Sequence, residues 1–520
     1  MLSLLAAVAT ADPTAIFTAD PGPASWLVIL PVVLCLIAGA ALAAIRRNIA
    51  LHTPIAIAAL ALLAAIDALL LHQVATHGPI TMVMGRWLPP FGIAFTVDIL
   101  GAAMALVAAL VALAAAVYAL PDIDTLRRRY GFYPFLLFLM AGVSGAFLTG
   151  DVFNLYVWFE VLLISSFGLI VLGGERAQID GAMKYGLLNL VGTTLFLIAV
   201  GYLYAIFGTL NMADIAMKVA RQGDHLPLMT LGMLFFTAFA MKAAAFPVNF
   251  WLPASYHTPR ITVSALFAGL LTKVGIYAML RVLVMLMPGV ALTLSPMIGG
   301  VAILTMLSGA IGAVAQSDIR RTLGYWVISG IGIMLSGIAI GGVQALAAAV
   351  FYAFHSVVVM TALYFAAGLA GHRAGGFSIG AIGGLWSAAP LLSALCLALF
   401  FSIAGLPPFS GFWPKAMLVS AALSAERWWI AAAILVSGFL ITFAAGRIFL
   451  LAFWRPAPKD TAAPRTGPSP AAMSVLVLLT LVSTAVGLWP EPVAVLSKNA
   501  AFAILEPEYY LRSVFPELRP

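Results

Sequence analysis

Long apolar runs, broken only by short polar stretches, recur through the whole chain and leave few folds open. In lipid every backbone N–H and C=O must be satisfied within the protein, so about 20 consecutive apolar residues read as a spanning helix. Such runs lie near residues 25–45, 52–72, 92–119, 132–149, 152–173, 185–207, 227–251, 261–287, 293–315, 323–341, 343–371, 385–422, 428–453 and 471–490. The expected fold is an all-α polytopic membrane protein with about 14 transmembrane helices. Composition agrees: of 520 residues, 63% are hydrophobic and 9% charged, with mean hydropathy +1.09, a balance foreign to soluble proteins.

Two of these runs carry their own interruption. The stretch 239–253 holds a cation, Lys242, and two prolines, Pro247 and Pro253. Pro247 cannot donate to the carbonyl of Ala243, which frees an acceptor one residue from the lysine. A charge at the bilayer centre costs about 2.5–3.5 kcal/mol on insertion scales. Broken backbone at that depth is tolerated only inside protein or beside a water-filled cavity. A broken helix beside an ionisable residue therefore points to an ion path; the alternative is a kink whose lysine snorkels to one interface. The run 385–422 is too long for one straight helix and contains Pro407, Pro408 and Pro414.

The two interruptions match. Pro247–Pro253 and Pro408–Pro414 both have five residues between the prolines and a Phe-Trp pair, Phe250-Trp251 and Phe412-Trp413. They fall in spans seven and twelve, and an odd offset of five spans inverts direction across the membrane. The expected layout is two inverted five-helix repeats, each containing a broken helix. The parts are 1–131 (N-terminal helices and an outer hairpin), 132–287 (first repeat), 293–453 (second repeat) and 454–520 (C-terminal helix and tail). Between spans two and three, His77–Pro90 alternates between Gly/Pro edges and reads as an extended hairpin. Asn211–Gly223 reads as an amphipathic surface helix. Arginines at 46–47, 127–129, 176, 260, 320–321, 373 and 455 follow odd-numbered spans, so those loops are expected in the cytoplasm and both termini outside.

Ionisable residues inside the apolar runs are the candidate transport groups. They are Glu160 in span five, Lys242 in span seven, Lys273 in span eight, His355 in span eleven and Lys415 just after the second break. Asp98 in span three faces either the interior or an interface. Lys184 opens span six and belongs either to the path or to the cytoplasmic loop. A Glu160–Lys242 pair that forms and breaks would gate protonation of the lysine; the alternative is a fixed pair that stabilises the bundle.

Several function classes find no support. The two cysteines, Cys35 and Cys396, lie in apolar runs and form no cluster, so no iron–sulfur or haem site is expected. No phosphate-binding glycine loop stands in a strand–helix context. The net charge of +7 comes from loops between spans and reports topology, with no nucleic-acid partner implied. Met1–Ala11 lacks a basic start and has a short apolar core, so no cleaved signal peptide is expected. No metal or cofactor is expected.

Several motifs resemble a known family. They are Thr149-Gly-Asp151-Val-Phe-Asn-Leu-Tyr-Val-Trp-Phe-Glu160, Met183-Lys184-Tyr-Gly-Leu-Leu-Asn-Leu-Val-Gly192, Phe239-Ala-Met-Lys242, Trp251-Leu-Pro-Ala-Ser-Tyr-His257, Ala313-Val-Ala-Gln-Ser-Asp318 and Gly405-Leu-Pro-Pro-Phe-Ser-Gly-Phe-Trp-Pro-Lys415. In this order they resemble the large antiporter-like subunits shared by Mrp-type cation/proton antiporters and respiratory complex I. The resemblance covers spans three to thirteen and leans to the Mrp type. It implies that Glu160 pairs with Lys242, and that Lys273, His355 and Lys415 continue a proton relay. Many relatives carry a lysine where Met360 stands, so water or His355 must bridge there. It further implies a secondary-transport subunit, not an enzyme, in a bacterial inner membrane. Its partners would be other membrane subunits, H⁺, and Na⁺ or K⁺. The alternative is a proton-pumping subunit of a redox-driven complex.

Overall fold

The computed structural model describes residues 22–222, 227–457 and 469–516. Met1–Ala11, Gly223 and part of the 454–520 tail lie outside those residues. Among the described residues, eleven helices are long and apolar enough to cross a membrane, and three shorter apolar helices complete fourteen. In chain order they are α1 Trp26–Ala44, α2 Ile49–His77, α3 Ile99–Asp122, α4 Phe132–Leu148, α5 Val152–Val171, α6 Arg176–Phe207, α7 Leu228–Ala243, α8 Ile261–Leu286, α9 Pro288–Ala315, α10 Ile319–Ile340, α11 Gly342–Ala374, α12 Pro390–Ala404, α13 Trp428–Trp454 and α14 Pro470–Leu488. After the breaks, α7 resumes as Trp251–Ser255 and α12 as Phe412–Ser424. The chain is an all-α polytopic membrane protein built on two inverted five-helix repeats, and α7 and α12 are the broken helices. Two helices after α14 carried no expectation from sequence: Glu491–Leu505 and Glu508–Val514.

The inversion is visible in paired details. Asp151 caps the N-terminus of α5, accepting from the Asn154 N–H at 2.7 Å, and its backbone bridges to Asn211. Asp318 caps α10, accepting from the Arg320 N–H at 2.8 Å, and its backbone bridges to Ser378. An aspartate at this position satisfies N–H groups that have no partner inside the helix. The two caps lie five spans apart, hence on opposite faces.

Three sequence expectations shift. The hairpin is longer than read: β1 Ile80–Val83 pairs antiparallel with β2 Ala94–Val97, Ile80 opposite Val97. Span three therefore opens at Ile99; its expected first residues are strand, where β-branched and aromatic residues suit a pleated surface. Each break begins earlier than read. Helix α7 ends at Ala243 with Ala244 in the left-handed region, before Pro247 acts, and α12 ends at Ala404 with Gly405 likewise left-handed. Pro253 and Pro414 are not in the unwound segments. Each is the third residue of the resuming half-helix, where the first four N–H groups lack helical partners and a proline costs none. The amphipathic stretch is helical over Met212–Gln222, but it is covered on one side, with Tyr510 Oη 3.9 Å from Met212 Sδ.

Helices α8, α10 and α11 form the centre and are buried along almost their whole lengths. Small residues set the close approaches. A Cβ at Gly275 of α8 would lie 3.2 Å from that of Ala243 on α7, and one at Gly269 would lie 2.4 Å from Thr361 Oγ1 on α11. These contacts bring both repeats to the helix that carries Lys273.

Candidate functional site: a buried row of ionisable side chains

Lys242, Lys273, His355 and Lys415 are all buried, on α7, α8, α11 and the second half of α12. Glu160 on α5 is partly buried, and its Oε1 has no hydrogen-bond partner in the protein. Lys242 sits in the last turn of its half-helix, at the negative end of the dipole. Its ammonium lies 5.5 Å from the centroid of the Phe159 ring, within cation–π reach. Gly192 of α6 lies beside its stem: a Cβ added there would stand 3.7 Å from Lys242 Cε, an ordinary contact. Asn189, Tyr185 and Trp251 share a cavity of about 10 Å³ with it, about the space of one water. Glu160 and Lys242 make no ion pair within 4.0 Å in this conformation. Glu160 is nonetheless the carboxylate whose charge acts on Lys242.

Lys273 is bonded to backbone. A π-helical turn at Phe267–Leu271 precedes it, and its ammonium donates to the Ala268 carbonyl at 2.5 Å. A second π-helical stretch, Leu280–Leu286, follows. Wide turns of this kind mark functional sites. The charges of Lys415 and Lys273 both act on His355. Its Nδ1 pairs with Ser410 Oγ at 2.8 Å, while Nε2 has no partner in the protein. Lys415 Nζ donates to the carbonyls of Ile403 at 2.8 Å and Ala404 at 2.9 Å, the last turn before the second break. Met360 is fully buried on α11 and offers only a thioether, a weak acceptor.

Two sequence candidates fall outside this row. Lys184 is exposed and pairs with Asp180 at 2.6 Å, one turn away on α6. That helix begins at Arg176, earlier than read, and Lys184 points away from the path. Asp98 is fully buried, but as the N-cap of α3 it accepts from Gly101 N–H at 3.0 Å and pairs with Arg281 of α8. The second Asp98 oxygen accepts from Arg281 Nη1 at 2.7 Å. Arg281 also donates to Tyr277 Oη at 2.9 Å and lies 5.6 Å from the Tyr510 ring centroid. This is a closed, satisfied ion pair. The sequence reading passed over Arg281, although a charge inside Ala278–Met287 was visible. It also passed over Asp67 of α2, fully buried with neither oxygen bonded in the protein.

On the arginine-rich face, a polar cavity of about 320 Å³ opens between the repeats, lined by Asp122, Glu175, Arg260, Arg320 and His372. Burial alone would raise the Asp124 carboxyl. The Arg127 N–H and guanidinium, with Arg260 nearby, hold it below the ordinary range. His257 is held below the usual imidazole range, first by burial and then by the charge of Arg321. Its Nδ1 lies 2.8 Å from the Pro253 carbonyl, and its Nε2 lies 3.2 Å from an Arg321 nitrogen. That arrangement suits a neutral ring donating from Nδ1 and accepting at Nε2.

The family described as NADH:quinone oxidoreductase/Mrp antiporter, transmembrane, matches residues 149–442. The chain belongs to this family. It is 38% identical over 496 residues to an Na(+)/H(+) antiporter subunit of Alkalihalophilus pseudofirmus, covering 94% of this chain and 99% of that one. It is 36% identical to the corresponding antiporter subunit of Bacillus subtilis, at the same coverage. A chain in the Mrp complex of Dietzia sp. superposes with TM-score 0.89 at 28% identity, covering 94% of this chain and 99% of its own. Respiratory complex I of Thermus thermophilus contains a chain at TM-score 0.78 and 25% identity, covering 92% and 99%. In this antiporter-like subunit all five members of the buried row lie inside the matched region.

Proposed function

We propose that this chain is a membrane subunit of a multisubunit Na⁺(K⁺)/H⁺ antiporter, a secondary transporter and not an enzyme. It would carry protons along Glu160, Lys242, Lys273, His355 and Lys415 in exchange for monovalent cations. The observation that carries the reading is that row itself. Five costly ionisable groups on five helices lie beside two broken helices and mostly lack the fixed partners of structural ion pairs. Contrast within the molecule supports it, since Asp98 and Arg281 show what a structural pair looks like here. Glu160 gates Lys242 by its charge. Lys273 passes the proton between repeats, with water carrying it past Met360. The repeats are taken as 132–287 and 293–453.

The complex would sit in a bacterial inner membrane, with arginine-rich loops inside and both termini outside. Other membrane subunits would cover its exposed apolar flanks. The likeness to complex I favours a second reading, a proton-pumping subunit of a redox-driven complex; the higher identity to antiporter subunits weighs against it. The test is dissipation of a pH gradient by Na⁺ or K⁺ in membrane vesicles holding the assembled complex. Cation-dependent dissipation without any redox substrate is expected. Its absence, with proton movement only on adding a reductant and quinone, would favour the second reading.

A further inference from the structure

We propose that the apolar cavity beside the surface helix Met212–Gln222 binds one membrane phospholipid, with an acyl chain filling the cavity and the phosphate on Arg221. The site lies outside the buried row and needs no step of transport.

The walls set the chemistry of the ligand. The cavity holds about 800 Å³ between the surface helix, the start of α7, the reversal from α8 to α9, and the helices Glu491–Leu505 and Glu508–Val514. Sites that enclose an organic ligand span about 300–1,000 Å³. Arg221 and Thr293 carry the only polar side chains among the described residues that line it. The Thr293 hydroxyl donates to the Gly289 carbonyl at 2.9 Å. An ordered water needs about two to four polar partners, which such walls do not supply.

Position supplies the occupant. The lining residues Leu228, Pro288 and Leu505 stand at helix ends, so the cavity lies where spanning helices reach the membrane surface. An amphipathic helix at that level buries its apolar face at the headgroup–acyl boundary, and a concave apolar surface there meets acyl chains. Arg221 is exposed and forms no ion pair among the described residues, whereas Lys218, one turn earlier, is held by Asp214 at 3.0 Å and the Phe207 carbonyl at 3.0 Å. A free guanidinium at headgroup level matches phosphate oxygens in a two-pronged contact. Glu508 is paired with Arg512, but Glu506, exposed beside the lining residue Leu505, forms no ion pair among the described residues. A zwitterionic headgroup, whose ammonium offsets that carboxylate, is therefore the suitable probe.

The cavity also touches the helix that carries Lys273. Val284, Met285 and Leu286 line it and belong to the second π-helical stretch of α8. Met285 Sδ lies 3.3 Å from Arg281 Nη1, the guanidinium paired with Asp98. An acyl chain in the cavity packs against the residue that backs this buried ion pair. Apolar walls that face a void lose those contacts, so filling the cavity stabilises the end of α8. The reversal leaves the space open, because α8 ends at Leu286, α9 begins at Pro288, and Met287 alone joins them. Gly289 adds to it, since a Cβ there would meet nothing within 4 Å.

Native mass spectrometry and thermal unfolding of the purified assembled complex test this. Phosphatidylethanolamine added back after delipidation is expected to raise the wild-type melting temperature by about 2 °C or more. The diacylglycerol with the same chains, which lacks the phosphate, should raise it less. Gly289→Leu fills the cavity, so it should retain one phospholipid fewer than wild type and lose the response to added lipid. Gly300→Leu, at an equally open glycine of α9 outside the cavity, should behave as wild type. Arg221→Ala should weaken phospholipid retention about fivefold with assembly unchanged. A wild-type lipid count and response in Gly289→Leu would overturn the site. So would equal retention in Arg221→Ala together with an equal effect of diacylglycerol. If a neighbouring subunit fills the cavity, Gly289→Leu loses assembly while the lipid count per complex stays the same, and the site is likewise overturned.

Discussion

In α7 the residue three before the break proline, Ala244, has φ 59°; in α12 its counterpart, Gly405, has φ 86°. One residue later, Ala245 N–H donates to Ala240 O at 2.9 Å and Leu406 N–H to Phe401 O at 3.0 Å. Then Val248 N–H donates to Ala245 O at 3.0 Å and Phe409 N–H to Leu406 O at 3.2 Å. The two breaks are the same backbone device in opposite orientation. Their lysines differ. Lys242 ends the half-helix before the first break, beside a ring and a distant carboxylate. Lys415 follows the second break and reaches back to two carbonyls across it. The difference explains the glycine. An alanine is accommodated at the left-handed position of α7, so backbone conformation alone does not demand Gly405; the lysine lying over it does, since an added Cβ there would come within 2.7 Å of Lys415 Cδ.

The largest effect separates fixed charges from mobile ones. Arg281→Met leaves Asp98 buried and unpaired, a change that costs about 3–5 kcal/mol. Loss of assembled complex on native gels is the expected outcome. Glu160→Gln has no bonded Oε1 partner to lose and should leave assembly intact while lowering exchange by about tenfold or more, on the scale of one interaction of about 1.4 kcal/mol. Equal assembly defects in both variants would erase the distinction between the two kinds of buried charge.

Swapping the two left-handed residues sharpens the comparison of breaks. Gly405→Ala drives a methyl into Lys415 and should cost about 1–3 kcal/mol as overpacking, with exchange reduced at unchanged expression. Ala244→Gly removes left-handed strain and should stabilise thermal unfolding by about 1 kcal/mol. If Gly405→Ala were as mild as Ala244→Gly is favourable, the packing of Lys415 over Gly405 would not matter.

The smallest expected effect is on the arginine-rich face, just after the first break. The folded protein holds His257 below its ordinary value, through burial and then Arg321. As pH falls through about 6.5, the unfolded chain takes the proton first, so the fold loses stability with acid. His257→Gln should flatten the fall in melting temperature below that pH and change little above it.

How much of this was readable from residues depends on whether the signal was local. Helices, breaks and the inverted pairing follow from run lengths and from Pro247 and Pro408, because lipid forbids unsatisfied backbone. The start of each break was not readable. Ala244 carries no breaker signature, and the left-handed turn is set by the packing around it. Pro253 and Pro414 looked like breakers, but in the first turn of a helix a proline lacks nothing. The buried row was legible because charges stand out in apolar runs. Pairing was not: Asp98 looked like a free candidate until α8 brought Arg281, 183 residues away, to it. The meeting of the Ser402, Ser410 and Ser483 hydroxyls, 2.9 Å from Ser483 to each of the other two, was invisible, since these serines look ordinary and come together only in the fold.

In the antiport reading the loosely held lysine of the first break, Lys242, carries a proton; a purely structural role would need only its positive charge. The direct measurement is cation-driven dissipation of a pH gradient in vesicles bearing Lys242→Arg, normalised to assembled complex. Arginine keeps the charge but is not deprotonated at accessible pH. The account predicts assembly at wild-type level and no exchange, with Lys242→Ala behaving the same. Near-normal exchange in Lys242→Arg would contradict it, and would make Lys242 a structural charge.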